Sequence, residues 1–268
     1  MREGMLRTEQ KIHYVLRIAV AMCFIGHGIF GVITKQIWCN YFAVFGIGTD
    51  SAYALMPWVG VCDILLGVIM LFYPIRAIAL WLVIWGGVTA FLRPVSGEPF
   101  AEFIERAGNF GAPLALLILS GGIKSFRQLF VPINPNAAVD AITIQNVFNC
   151  LKIVGFLLLM GHGWLNIIQK KGLLSQYAAI GFTNPAKVAQ FVGVFEIVAA
   201  LIVLIKPIPS ILLLFIIWKI SSELLYPHYG LFEWIERGGS YGTLIALWFA
   251  TKQVSSNLKA HTLKNNHI

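Results

Sequence analysis

The chain has 268 residues, 58% of them hydrophobic and only 12% charged, with a mean hydropathy of +0.76. A water-soluble domain of this length carries about twice that charge, and long apolar blocks point instead to a membrane protein. The formal net charge of +8 argues for no nucleic-acid partner, because Lys and Arg sit in short loops and tails rather than on one polar face.

Taken in chain order, Arg2, Arg7 and Lys11 precede the first apolar block, 14–34. No small-x-small cleavage site follows that block, so it is expected to be retained as a span. Further blocks at 53–73, 76–92, 108–123, 146–168, 188–206, 208–226 and 239–252 complete eight expected crossings. Several are shorter than the roughly 20 residues of a perpendicular span and must extend through their flanks or lie within a bundle. The four cysteines, Cys23, Cys39, Cys62 and Cys150, make no CxxC or metal-ligand spacing and read mainly as small apolar fillers.

The chain repeats itself. Gly26-His27-Gly28 recurs as Gly161-His162-Gly163, Val59-Gly60-Val61 as Val192-Gly193-Val194, and Pro74 and Trp85 as Pro207 and Trp218. The decapeptide Glu102–Gly111, EFIERAGNFG, returns as Glu233–Gly242, EWIERGGSYG. The offset drifts only across the first and third loops of each half, where short deletions are tolerated. The expected fold is therefore all-α and membrane-integral, with eight transmembrane helices in two parallel four-helix-bundle repeats. Residues 1–130 form the first repeat, 131–145 a cytosolic linker containing Pro132-Ile-Asn-Pro135, 146–254 the second repeat, and 255–268 a polar C-terminal tail. Most of the Lys and Arg residues fall in the N-terminal segment, the even loops and the C-terminal tail, which places both termini in the cytosol.

Polar residues inside spans are costly, so each one needs a reason. His27 and His162 lie just past the middle of the first span of each half, and Asp63 and Glu196 lie midway along the second. Each half is thus expected to hold a His–carboxylate hydrogen bond. Such a bond could join helices, handle protons or bind a ligand, and the two histidines could together ligate a haem b. Lys219 and Glu223 share a helix face four residues apart and are expected to pair, unless Lys219 meets Glu196 instead. Their counterparts are Gly86 and Ala90, so a single functional site is expected in the second half. There His162, Glu196, Lys219 and Glu223 would converge on one pocket open toward Glu236 and Arg237. Glu105-Arg106 and Glu236-Arg237 precede the last span of each half, where they could cap helices or form an outward rim for a quinone headgroup or small solute. Gly108/Gly111 and Gly239/Gly242 suit tight helix contact. No metal site is expected.

The stretches LKIVGFLLLMGHGWLNI at 151–167, YAAIGFTNPAK at 177–187 and VGVFEIVAALIVLIKP at 192–207 resemble the DoxX family. In that family a helix ending in His-Gly, a loop with glycine and proline, and a helix bearing Glu follow one another. His162 and Glu196 carry those two features; the first half has Asp63 for the glutamate and no proline in its loop. A usual member has one four-helix unit, whereas this chain has two. The resemblance implies a protein of the bacterial or archaeal cytoplasmic membrane linked to redox work, with a quinone as ligand and a redox protein as partner. A carrier for a small solute or lipid, and a non-catalytic assembly protein, remain open beside it. No nucleotide-binding GxxxxGK[ST] loop, iron–sulfur cysteine cluster or GxSxG elbow is present, so electrons would come from a partner or from the bound molecule.

Overall fold

The computed structural model describes residues 6–224 and 230–265, without the side chains of 256–265. Its helices run in the order α1 (Thr8–Val32), α2 (Trp38–Ala43), α3 (Thr49–Phe72), α4 (Arg76–Val95), α5 (Ala101–Glu105) and α6 (Ala107–Leu119). After a 3-10 turn at Phe126–Phe130 come α7 (Ala141–Ile167), α8 (Lys171–Ala179), α9 (Pro185–Ile205), α10 (Pro209–Glu223), α11 (Gly230–Glu236) and α12 (Gly238–Asn265). There is no strand among the described residues.

Five helices, α1, α3, α4, α7 and α9, are long and apolar enough to cross a membrane. The protein is therefore an α-helical, membrane-embedded one. The other three expected crossings are also helical. α6 is apolar but has 13 residues, α10 has 15, and α12 runs into the polar segment that begins at Lys252. Residues 225 and 226, the end of the expected seventh crossing, lie outside the described residues.

Local chemistry sets where the long helices begin and end. Asp140 caps α7 by accepting from the Thr143 amide at 2.6 Å, a bond that holds its carboxyl below the usual carboxylate range. The cap draws 141–145, expected as linker, into the helix. Asn184 caps α9 in the same way, accepting from the Lys187 amide at 3.1 Å, with Pro185 preset for the first turn. α3 and α9 stop just before Pro74 and Pro207, whose rings cannot continue a helix. The linker is tied down, since the Ile133 amide donates to the Pro74 carbonyl at 2.8 Å. Arg76 donates to the Ser120 and Val131 carbonyls at 2.8 and 3.2 Å.

α1 lies along α3 and α7 along α9, each pair so close that glycines meet backbone to backbone. Gly28 faces Gly60, and Gly163 faces Gly193. The other neighbours of α1 and α7 come partly from the opposite half: α1 packs on α11 and α12, and α7 packs on α5 and α6. Gly26 abuts the backbone of Glu236, and Gly161 abuts that of Glu105. Between these two contacts, Gly108 and Gly239, corresponding members of the two decapeptides, touch each other through their backbones. One apolar core accordingly includes Leu16 and Leu116 from the first half with Leu151 and Leu244 from the second.

Candidate functional site

Each half builds the same polar triad on three helices. In the first, His27 Nδ1 lies 2.7 Å from Asp63 Oδ2, and the Trp85 indole donates to Asp63 Oδ1 at 2.8 Å. In the second, His162 Nδ1 lies 2.5 Å from Glu196 Oε2, and the Trp218 indole donates to Glu196 Oε1 at 3.1 Å. The expected dyads are thus present, and a tryptophan completes each one. Against an ionised carboxylate, Nδ1 carries the proton, which leaves Nε2 of the neutral ring as an acceptor. The second triad is further braced. Asn166 donates to the His162 carbonyl at 3.1 Å and accepts from the Tyr177 hydroxyl at 2.7 Å.

A cavity adjoins each histidine, and the two are lined by corresponding positions. His27, Phe42, Phe45, Val59, Trp85 and Thr89 line the first. His162, Tyr177, Ile180, Val192, Trp218 and Ser222 stand in their places in the second. The first has a volume of about 140 Å³ and the second about 540 Å³. The first reaches the surface at Phe45, which is 63% exposed, and the second at Phe191, which is 76% exposed. No described cavity is lined by both histidines.

The charged groups are arranged otherwise than the sequence suggests. Lys219 does pair with Glu223, at 2.8 Å with both side chains buried, as expected of residues one turn apart. Glu223 lines the His162 cavity, in the place that Ala90 takes beside His27. Glu236, however, lines the His27 cavity and not that of His162. The group beside His162 is Glu105, which shares a small third cavity with His162, Lys170 and Arg237. The expectation that all four second-half residues open toward a Glu236–Arg237 rim therefore fails for Glu236. The reason is packing: each first helix docks on the decapeptide of the opposite half, so each decapeptide serves the other half's histidine.

The decapeptides meet in an ion-pair network buried from solvent. Arg106 Nη1 donates to Glu102 Oε2 at 2.5 Å and to Glu105 Oε2 at 2.7 Å, while Arg237 Nη1 donates to Glu105 Oε1. Arg93 reaches Glu98 at 3.2 Å and Glu102 at 3.5 Å, and the Tyr41 hydroxyl donates to Glu98 at 2.5 Å. Lys35 pairs with Glu233 at 2.6 Å, and its counterpart Lys170 pairs with Glu102, so each lysine crosses to the other half. Oxygens of Glu105 and Glu223 and a ring nitrogen of His162 lie within 4.8 Å of one another, a spacing that could suit a metal ion. Arg106, Arg237 and Lys219 already supply positive charge to both carboxylates, so a divalent cation there would meet three like charges.

No family model, curated protein or solved structure matches the chain.

Several of these residues carry a repeat signal in the sequence that does not by itself reveal their place at the site. Trp85 and Trp218 repeat at the same offset as Asp63 and Glu196, and Lys35 and Lys170 at the same offset as the histidines. Apolar or loop settings hid their roles. Arg93, Glu98, Asn166 and Tyr177 have no repeated signal and were legible only once the helices were packed.

Proposed function

We propose that the protein is a redox-associated membrane subunit that binds a quinone-type ring in the cavity beside His162. The reading rests chiefly on one observation: a His–carboxylate pair, with Nδ1 held by Glu196, set in the wall of a roughly 540 Å³ cavity lined by Tyr177, Phe182, Phe191 and Trp218. Ligand sites in proteins are typically apolar and aromatic clefts of this size with a few fixed polar groups. Reduction of a quinone adds two electrons and two protons. An electron-donating partner protein would supply the electrons. His162 would pass one proton to the near ligand oxygen, water would supply the second to the far oxygen, and Trp218 would fix the orientation of Glu196.

In this proposal the chain makes eight crossings as two parallel four-helix units, with the three shorter helices crossing through their flanks. It resides in the cytoplasmic membrane with both termini cytosolic, and it belongs with the DoxX-like proteins that its His162 and Glu196 motifs resemble. A carrier for a small solute or lipid is the second reading, favoured by the position-by-position likeness of the two cavities.

A lipid extract and absorption spectrum of the purified protein test the proposal. Quinone should co-purify, and His162→Ala should lose it while remaining monodisperse by size exclusion. Haem absorption bands, or quinone retained by the folded variant, would overturn it. Ser255→Cys should resist an impermeant thiol reagent in intact cells; labelling there would reverse the orientation.

A further inference from the structure

The two halves differ in how they treat one pair of corresponding glutamates. Glu105 accepts from both Arg106 and Arg237. Glu236 is only 6% exposed, yet it makes no hydrogen bond or ion pair within 4 Å among the described residues. Glu236 lines the His27 cavity together with Asn109. His27 is committed to Asp63 through Nδ1, which leaves Nε2 as its remaining polar atom. Arg93, Arg106 and Asn109 line the same cavity and the two guanidiniums act on Glu236 through space, but no side chain donates to it, so its oxygens keep their acceptor capacity.

The surroundings narrow what could supply that donor. Trp38, Tyr41 and Trp85 wall the cavity, and its volume of about 140 Å³ is close to that of an apolar cavity known to take up benzene. An organic cation would meet the guanidinium groups of Arg93 and Arg106, which line the same space. An anion would meet Glu236. A neutral aromatic ring bearing a hydroxyl has neither conflict: it fills the cavity with its ring and donates to the carboxylate, a charge-assisted bond.

We infer that the His27 cavity is a second binding site, selective for a phenol-type or hydroquinone-type ring whose hydroxyl donates to Glu236. The inference complements the reading of the His162 cavity but does not depend on it.

The purified full chain in detergent, titrated calorimetrically with para-heptylphenol and with its methyl ether, tests the inference, because the ether keeps the ring and removes the donor. The phenol should bind about tenfold more tightly than the ether. Glu236→Gln should abolish most of that preference while leaving ether binding unchanged, and Trp218→Phe in the other cavity should leave the preference intact. Equal binding of phenol and ether, a preference that survives Glu236→Gln, or one lost in Trp218→Phe would overturn the inference. If Glu236→Gln fails to fold, Phe45→Ala at the exposed mouth should weaken both ligands by a similar factor; unchanged binding would overturn the inference as well. Quinone loss in His162→Ala reports on the other cavity alone, so the two readings fail separately.

Discussion

The cavity beside His27 and the cavity beside His162 rest on corresponding positions of a repeated sequence, yet their carboxylates are supplied differently. The first receives Glu236 from the opposite half, near Arg93 and Arg106 but in no ion pair with either. The second receives Glu223 from its own half, paired to Lys219, and has Glu105 beside it held by two guanidiniums. One framework of helices thus carries a small cavity whose carboxylate has no bonded partner and a large one whose carboxylate is ion-paired. The two halves share the parts that hold helices together: the Gly28–Gly60 and Gly163–Gly193 contacts, the His–carboxylate–Trp triads, and the crossing lysines. They differ in the groups that set what each cavity can hold.

The largest expected contrast is between Glu105→Gln and Glu236→Gln. Removing Glu105's charge takes from buried Arg237 its closest anion, leaves Arg106 only Glu102, and should cost about 3–5 kcal/mol. Glu236→Gln should cost about 1 kcal/mol, because Glu236 acts on Arg106 and Lys35 through space and bonds to neither. Reversible unfolding in mixed micelles measures both, and equal losses would erase the asymmetry on which the comparison stands. Lys219→Met should be nearly as damaging as Glu105→Gln, since it leaves buried Glu223 only the more distant Arg237 at 3.9 Å. Lys219→Met combined with Glu223→Gln should recover much of that loss, and additive losses in the double-variant cycle would show that the two side chains do not interact.

The tryptophans test what the halves share. Trp85→Phe and Trp218→Phe each remove one donor from a buried carboxylate and should cost about 1–3 kcal/mol apiece. A large difference between them would mean that the triads are not equivalent supports. The smallest effects belong to the crossing lysines. Lys35 and Lys170 are about a third exposed, so Lys35→Met and Lys170→Met should each change stability by about 0–1 kcal/mol, and less at high salt. A loss of several kcal/mol at either would place it with the buried network.

Much of this architecture could be read from local features. Apolar runs mark the long helices because the energetics of lipid burial act on composition. The i, i+4 spacing of Lys219 and Glu223 brought them together within one helix, and the shared depth of His27 with Asp63, and of His162 with Glu196, was visible from position along neighbouring helices. The short helices α2, α5, α8 and α11 were less legible, because each falls in a loop or a mixed segment and its stability comes from packing rather than from its own few hydrogen bonds.

The sequence by itself determined the helical, membrane-embedded character of the chain, its internal repetition and the two His–carboxylate partnerships. Each of these depends on composition, on periodicity, or on the register of adjacent helices. Only the tertiary structure decided that each decapeptide serves the histidine of the opposite half, and that Glu105 gathers both arginines while Glu236 gathers none. Those outcomes depend on which backbone surfaces fit closely enough to touch. Gly26 on Glu236, Gly161 on Glu105 and Gly108 on Gly239 are contacts between residues far apart in the chain, and two nearly identical decapeptides carry no local signal that says which half each will face.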